Sequence, residues 1–196
     1  MELNLDYKIG QTPLDPTELA GLKLKSIKTA EELEIQEHKG ISKTQTWLDK
    51  NNFDSDKIFT ELFLKEIHKR MFGDVWNWAG KYRLVNKTRG VEKGLISKEI
   101  KQVFSNSLVW IESESYEPDE IAIRFMHRLV QIQCFPNGNA RHAKLMADII
   151  IEHIFYGEAF TWGENYSKDE ARTKFISCLQ KADKGDIKGL LAFARN

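Results

Sequence analysis

Residues 127–144 read His127-Arg-Leu-Val-Gln-Ile-Gln-Cys-Phe-Pro-Asn-Gly-Asn-Ala-Arg-His-Ala-Lys144, and the fold turns on how they are read. An apolar helical pattern runs into Phe135-Pro136, breaks at Asn137-Gly138-Asn139 and restarts at about Ala140. A short Asn/Gly loop opening onto a helix start is a ready anion site. Its backbone N–H groups converge on one gap, and the positive end of the helix dipole lies behind them. Arg141 and Lys144 are three residues apart on the second helix. That spacing puts both cations on one face, within reach of a single anion. The stretch therefore reads as a phosphate cradle with two cationic clamps.

Outward from this loop the chain is helical. Pro118 at a first helical position, followed by Asp119-Glu120, starts the helix that enters the loop. The helix that leaves it carries Leu145, Met146, Ile149, Ile150 and Ile154 as far as about Tyr156, and Gly157 stops it. Ser167-Lys-Asp-Glu170 is a capping box for a further helix that reaches Ala182, and a last short helix carries Leu190-Leu191-Ala192-Phe193. Upstream, Ser97 caps a helix with Ile100, Val103, Phe104, Leu108 and Ile111 on its buried face. Asp54-Ser55 caps a periodic helix from Ile58 to Met71, ended by Gly73. Thr29-Ala-Glu-Glu32 caps a first helix, interrupted at Gly40 and resumed from Ser42 through Leu48. Pro13 and Pro16 make residues 1–28 an extended lead-in, and residues 29–196 form one domain with its core in 54–196. The fold class is all-α, with no internal repeat and no low-complexity linker.

With 29 Lys+Arg against 29 Asp+Glu, the formal net charge is zero, which argues against bulk attraction to nucleic acid. No apolar run has the length of a membrane span and no signal-peptide pattern opens the chain, so a cytoplasmic protein is expected. Cys134 and Cys178, far apart in sequence, read as two thiols in such a compartment. His38, His68 and His153 have no Cys, Asp or Glu partner at a metal-ligand spacing.

Three markers in order resemble the Fic (Fic/Doc, or Fido) family. The signature of that family is His-x-Phe-x-Asp/Glu-Gly-Asn-Gly-Arg-x-x-Arg, and Phe135, Gly138, Asn139 and Arg141 match it. Trp76-Asn-Trp-Ala-Gly-Lys-Tyr-Arg83 resembles the segment that leads to the family's β-hairpin flap, although packing alone accounts for a tryptophan pair. Ala182-Asp-Lys-Gly-Asp186 before an apolar helix is the third marker. The resemblance implies a Fic-type helical bundle with a small hairpin over about Leu84–Ile96. Leu84, Val85, Asn86, Gly90, Val91 and Leu95 would form an edge that holds a target protein by main-chain pairing.

The resemblance also implies transfer of AMP from ATP, with Mg²⁺, to a Ser, Thr or Tyr hydroxyl of a protein. In that chemistry the signature His removes the hydroxyl proton, the loop acid holds Mg²⁺, and the loop backbone and arginines hold phosphate. Here Gln133 stands at the His, Asn137 at the acid, Ala140 at the second Gly and Lys144 at the second Arg. A carboxamide does not titrate near neutral pH, so Gln133 is no general base, and losing that base costs on the order of 10²–10⁴ in rate. Asn137 offers Mg²⁺ only a neutral oxygen. Ala140 adds a Cβ where close approach to phosphate favours Gly, and Lys144 lacks the arginine fork. His127 and His142 point away from the loop by helical spacing. In the family's inhibitory helix, Lys39-Gly40 aligns with the inhibitory Glu-Gly, with Lys in place of Glu.

Phe135, Asn137, Gly138, Asn139, Ala140, Arg141 and Lys144 are thus the expected nucleotide- and phosphate-binding residues. The expected protein is a catalytically impaired relative of the AMP-transferases, a pseudoenzyme that still binds ATP or another nucleotide. One alternative is an active nucleotidyl- or phosphate-group transferase with altered chemistry. Another is a non-enzymatic module of the kind called mobile mystery protein B, with a helix-turn-helix or antitoxin partner.

Overall fold

A computed structural model describes residues 13–196; the part of the expected lead-in over 1–12 lies outside the described residues. Within them are nine α-helices and one 3-10 turn. The lead-in is not extended throughout. Asp15 and Glu18 form a reciprocal capping box around α1 (Pro16–Leu19), with Pro16 locking the first helical φ. From there the chain straps across residues 75–78. Leu22 forms an isolated antiparallel bridge with Trp76, Lys23 N–H donates to Val75 O at 2.8 Å, and Asn77 N–H donates to Gly21 O at 3.0 Å.

α2 (Ala30–Leu48) is capped as the Thr29/Glu32 box requires, but it is unbroken at Gly40. The glycine is there for approach. A Cβ at residue 40 would lie 2.2 Å from the carbonyl oxygen of Met71, on the helix packed against it. The helix expected from Ile58 to Met71 is two pieces, α3 (Ser55–Ile58) and α4 (Glu61–Phe72). Phe59 leaves helical geometry at ψ 45 and packs into the core, 5.6 Å from Phe125 between ring centroids. Thr60 then recaps the chain, its hydroxyl accepting Phe63 N–H at 3.1 Å.

The 3-10 turn Lys93–Leu95 leads into α5 (Ile96–Glu112), where Ser97 is no cap; its hydroxyl donates to Glu61 at 2.6 Å. α6 (Pro118–Ile132) and α7 (Asn139–His153) flank the loop and pack on each other. α8 (Lys168–Ala182) starts at the Ser167/Glu170 box and packs on α9 (Lys188–Ala194). α4 supports α7 from one side and α2 covers α4. Both cysteines are free thiols, Cys134 buried and Cys178 half-buried. No helix of the described residues is long and apolar enough to cross a membrane.

The all-α expectation is met, and the hairpin is the correction. Residues 84–92 form an irregular loop with no strand ladder. The reason lies in where the backbone bonds go. The carbonyls of Val85 and Val91 accept from the Arg83 guanidinium, Val91 N–H donates to Ile132 O at 3.3 Å, and Lys93 N–H donates to the Asn86 side chain at 2.8 Å. Those groups are then not free to pair across a hairpin.

Gly40→Ala is expected to destabilise the protein by roughly 1–3 kcal/mol through overpacking. Urea unfolding measures it, and an unchanged midpoint would remove the close-approach assignment.

Candidate functional site

α6 stops because Gln133 adopts the left-handed conformation at φ 52, ψ 57. Its side chain curls back on the helix it ends, with Nε2 donating to Val130 O at 2.8 Å, and its carbonyl accepts Arg83 Nε at 2.6 Å. Phe135 is buried and held at both backbone groups by one side chain. Its N–H donates to Asn139 Oδ1 and its carbonyl accepts Asn139 Nδ2, both at 2.8 Å. Asn139 is therefore a loop staple, and its carboxamide is turned away from any ligand. Asn137 Oδ1 likewise accepts Gly138 N–H at 2.6 Å. Gly138 sits at φ 76, and a Cβ there would meet the Phe72 ring at 2.6 Å. Only glycine fits both conditions.

These bonds narrow the expected fan of amides. Gly138 N–H is committed to Asn137, which leaves the first-turn amides of Asn139, Ala140 and Arg141. They have no acceptor one turn earlier in the helix, and no side chain caps the N-terminus of α7. Ala140 is an ordinary helical residue and is not among the positive-φ positions; its Cβ introduces no strain.

Arg141 is in place but engaged. Its guanidinium donates to Glu37 Oε2 at 2.7 Å and lies over the Phe72 ring, 4.8 Å from the centroid. Glu37, a buried acid on α2, also accepts Trp76 Nε1 at 2.7 Å. The acid reaching the signature is thus Glu37 and not the residue at 39. Sequence reading passed over it because one glutamate among several on a helix has no pattern to mark it.

The histidines divide by burial. His142 donates Nε2–H to Leu64 O at 3.0 Å, and burial pushes its pKa down to about 4. His127 pairs with Asp183 at 2.8 Å, away from the loop. His68 is fully buried and bonds to the carbonyl of Asn137 at 3.0 Å. Its place in the loop, like that of Arg83, was invisible to spacing arguments.

A model of the Fic/DOC family matches residues 58–151, the stretch from α3 through α7. That stretch, 94 of the 196 residues, is similar to a Fic/DOC domain. Solved structures agree on the fold. The chain aligns with a Bartonella tribocorum BepC protein with bound AMPPNP at TM-score 0.68 and 16% identity, over 92% of this chain and 97% of that one. It aligns with the N-terminal Fic domain of Bep8 from Bartonella sp. 1-1C at TM-score 0.70 and 16% identity, over 90% of each chain. It aligns with Fic-1 from C. elegans at TM-score 0.65 and 19% identity, over 80% of this chain but only 46% of that one.

Two positions of the Fic signature fall elsewhere than the sequence expectation. Lys144 takes partners other than those of Arg141. Its ammonium lies in an aromatic cage, 4.2 Å from the Phe175 ring centroid, 5.0 Å from Trp162 and 5.2 Å from Phe193. Three π-faces from the carboxy-terminal part of the chain attract the cation more closely than an open loop does. Burial lowers its pKa to about 8, against the attraction of Asp148 one turn along α7. Asp148 accepts Trp162 Nε1 at 3.0 Å and Phe160 N–H at 3.1 Å, and burial raises it to about 7. The other is Asn137, which does not suit Mg²⁺. Its oxygen is spent on Gly138, the nearest acid on this arginine is Glu37, and the loop supplies no carboxylate.

On the flap loop, Leu84 is 82% exposed and Leu95 43%. The carbonyls of Val85 and Val91 and the side chain of Asn86 are used internally. Gly90 packs against Gln133, a Cβ at 90 lying 2.8 Å from that of Gln133.

Because Asp148 is raised above its unfolded value, its neutral form supports the fold fully below about pH 4, and that support is lost as pH rises through about 7. Asp148→Asn removes this dependence. The melting temperature of the variant relative to the unmodified protein is expected to climb between those pH values; a flat difference would show Asp148 ionised in the fold throughout.

Proposed function

We propose that this Fic domain binds the phosphates of a nucleotide on the first turn of α7 and that its capacity for AMP transfer is lost or strongly reduced. The uncapped amides of Asn139, Ala140 and Arg141, with the Arg141 guanidinium beside them, support the phosphate site. ATP is the first ligand to try, since AMPPNP is bound in the BepC structure and ADP in a Fic-domain structure from Bartonella quintana.

The reading of weak catalysis rests on Gln133. A hydroxyl attacking the α-phosphate needs a proton acceptor, and the residue at that position has a carboxamide whose nitrogen is bonded to Val130 O. The neighbouring imidazoles offer no replacement, because His68 and His142 are buried and held to backbone groups. Metal assistance would have to come from the nucleotide's own Mg²⁺. Glu37 restrains what remains, by occupying the guanidinium that would meet phosphate. A protein partner, whether target or antitoxin, is best sought at Leu84, the largest apolar side chain left open on the flap loop.

Labelled ATP with candidate proteins tests the catalytic half. The unmodified chain is expected to transfer no label, and Gln133→His combined with Glu37→Gln to restore some; robust transfer by the unmodified chain would overturn the reading. Calorimetry tests the other half. Glu37→Gln is expected to tighten ATP binding about tenfold by releasing Arg141 from a charge-assisted bond, and Arg141→Ala to weaken it. Binding indifferent to both substitutions would put the phosphates elsewhere.

A further inference from the structure

One ring joins three parts of the site. His68 comes from the middle of α4 and is 0% exposed. Its Nδ1 lies 3.0 Å from the amide nitrogen of Gly80, and its Nε2 lies 3.0 Å from the carbonyl oxygen of Asn137. Its face stacks on Phe135 at 3.7 Å between centroids. The two backbone partners settle the tautomer. An amide N–H can only donate, so Nδ1 carries the lone pair; a carbonyl can only accept, so Nε2 carries the hydrogen.

We propose that His68 is a positioning residue for the phosphate-binding turn, acting by fixing the peptide between Asn137 and Gly138 from which the first turn of α7 opens. In a trans peptide the C=O of residue 137 and the N–H of residue 138 point in opposite directions. Pinning the Asn137 carbonyl against His68 therefore fixes where the Gly138 N–H points, which is onto the Asn137 side chain. Gly138 at φ 76 then turns the chain so that the next three amides form the open first turn of α7. Without the Nε2–H donor, that half-buried carbonyl loses the bond His68 supplies, and rotation of the peptide becomes less costly. Rotation would break the bond from Gly138 N–H to the Asn137 side chain and release the bend from which the first turn of α7 opens. Burial also holds the ring neutral, its pKa well below the usual histidine value, with the charges of His142 and Arg141 acting in the same direction. Both bonds are therefore present at neutral pH.

The inference rests on the phosphate reading of the loop, and two substitutions separate positioning from general support. Gln carries its amide nitrogen at about the reach of Nε2, so His68→Gln keeps a donor for Asn137. Asn carries its oxygen at about the reach of Nδ1, so His68→Asn keeps an acceptor for Gly80 and loses the donor. Both are made in the full chain carrying Glu37→Gln, and ATP is titrated by calorimetry beside thermal melts. Affinity is expected to stay within about twofold of the parent for His68→Gln and to fall about tenfold or more for His68→Asn, with similar melting temperatures. Equal affinities, or losses that follow the melting temperatures, overturn the positioning role. If the parent does not bind ATP, the phosphate reading fails by itself, and hydrogen exchange then decides the role of His68. The amides of residues 138–141 are expected to exchange faster in His68→Asn but not in His68→Gln; identical exchange in the two overturns it.

Discussion

A buried guanidinium sets the local architecture. Arg83 is 2% exposed, and its donors go to backbone carbonyls: Gln133 at 2.6 Å, Val85 at 2.8 Å, Ile132 at 3.5 Å, and Val91. Its own N–H donates to Cys134 O at 3.0 Å. A cation withdrawn from water must be surrounded by compensating dipoles; the carboxy-terminal end of α6, with the negative end of its helix dipole, and the loop after Arg83 supply them. The end of α6, the left-handed bend at Gln133 and the course of the flap loop follow from satisfying this one charge. A hairpin would need the same carbonyls for cross-strand bonds, and the charge takes precedence.

The turn between α6 and α7 is built beside this anchor by side chains that serve the backbone. Asn139 clamps the Phe135 peptide, Asn137 holds Gly138 N–H, and His68 holds the Asn137 carbonyl. Asn137 and Asn139, which look like ligands in the sequence, thus bond the main chain of the turn. The side chain best placed to meet an anion is Arg141, whose charge is balanced by Glu37 from a helix about a hundred residues earlier. Trp76 orients that carboxylate through its indole N–H, so the Trp-rich segment contributes to the site as well as to the core.

Lys144 shows how a motif position can change its work. On the helix it remains three residues from Arg141, yet its ammonium settles among Trp162, Phe175 and Phe193 and ties α7 to α8 and α9. Helical spacing puts two side chains on one face; it does not say which neighbour each long side chain will choose. That choice depends on aromatic rings supplied by residues 162–193, brought near only when the chain is folded. Arg141 at the turn and the caged lysine are two sides of the same arrangement.

Elements with local causes were legible in the chain itself. The capping boxes at Thr29 and Ser167, Pro118 at a helix start and the break at Asn137-Gly138 act within one turn, and the structure keeps each of them. The Asn/Gly loop and its matching residues likewise marked the resemblance to Fic domains, and the helical pattern marked the class. Features with distant causes were not legible. Gly40 reads as a break until Met71 is found against it, and residues 84–92 read as a hairpin until Arg83 is seen to use their carbonyls. Glu37 and His68 carry no local signal, because their partners are Arg141 and Trp76, and Asn137 and Gly80. The sequence determined where helices begin and where the turn between α6 and α7 lies, since caps and turns are short-range bonds. Tertiary structure alone decided which charges meet that turn, because a buried charge takes its partners from whatever folding brings within reach.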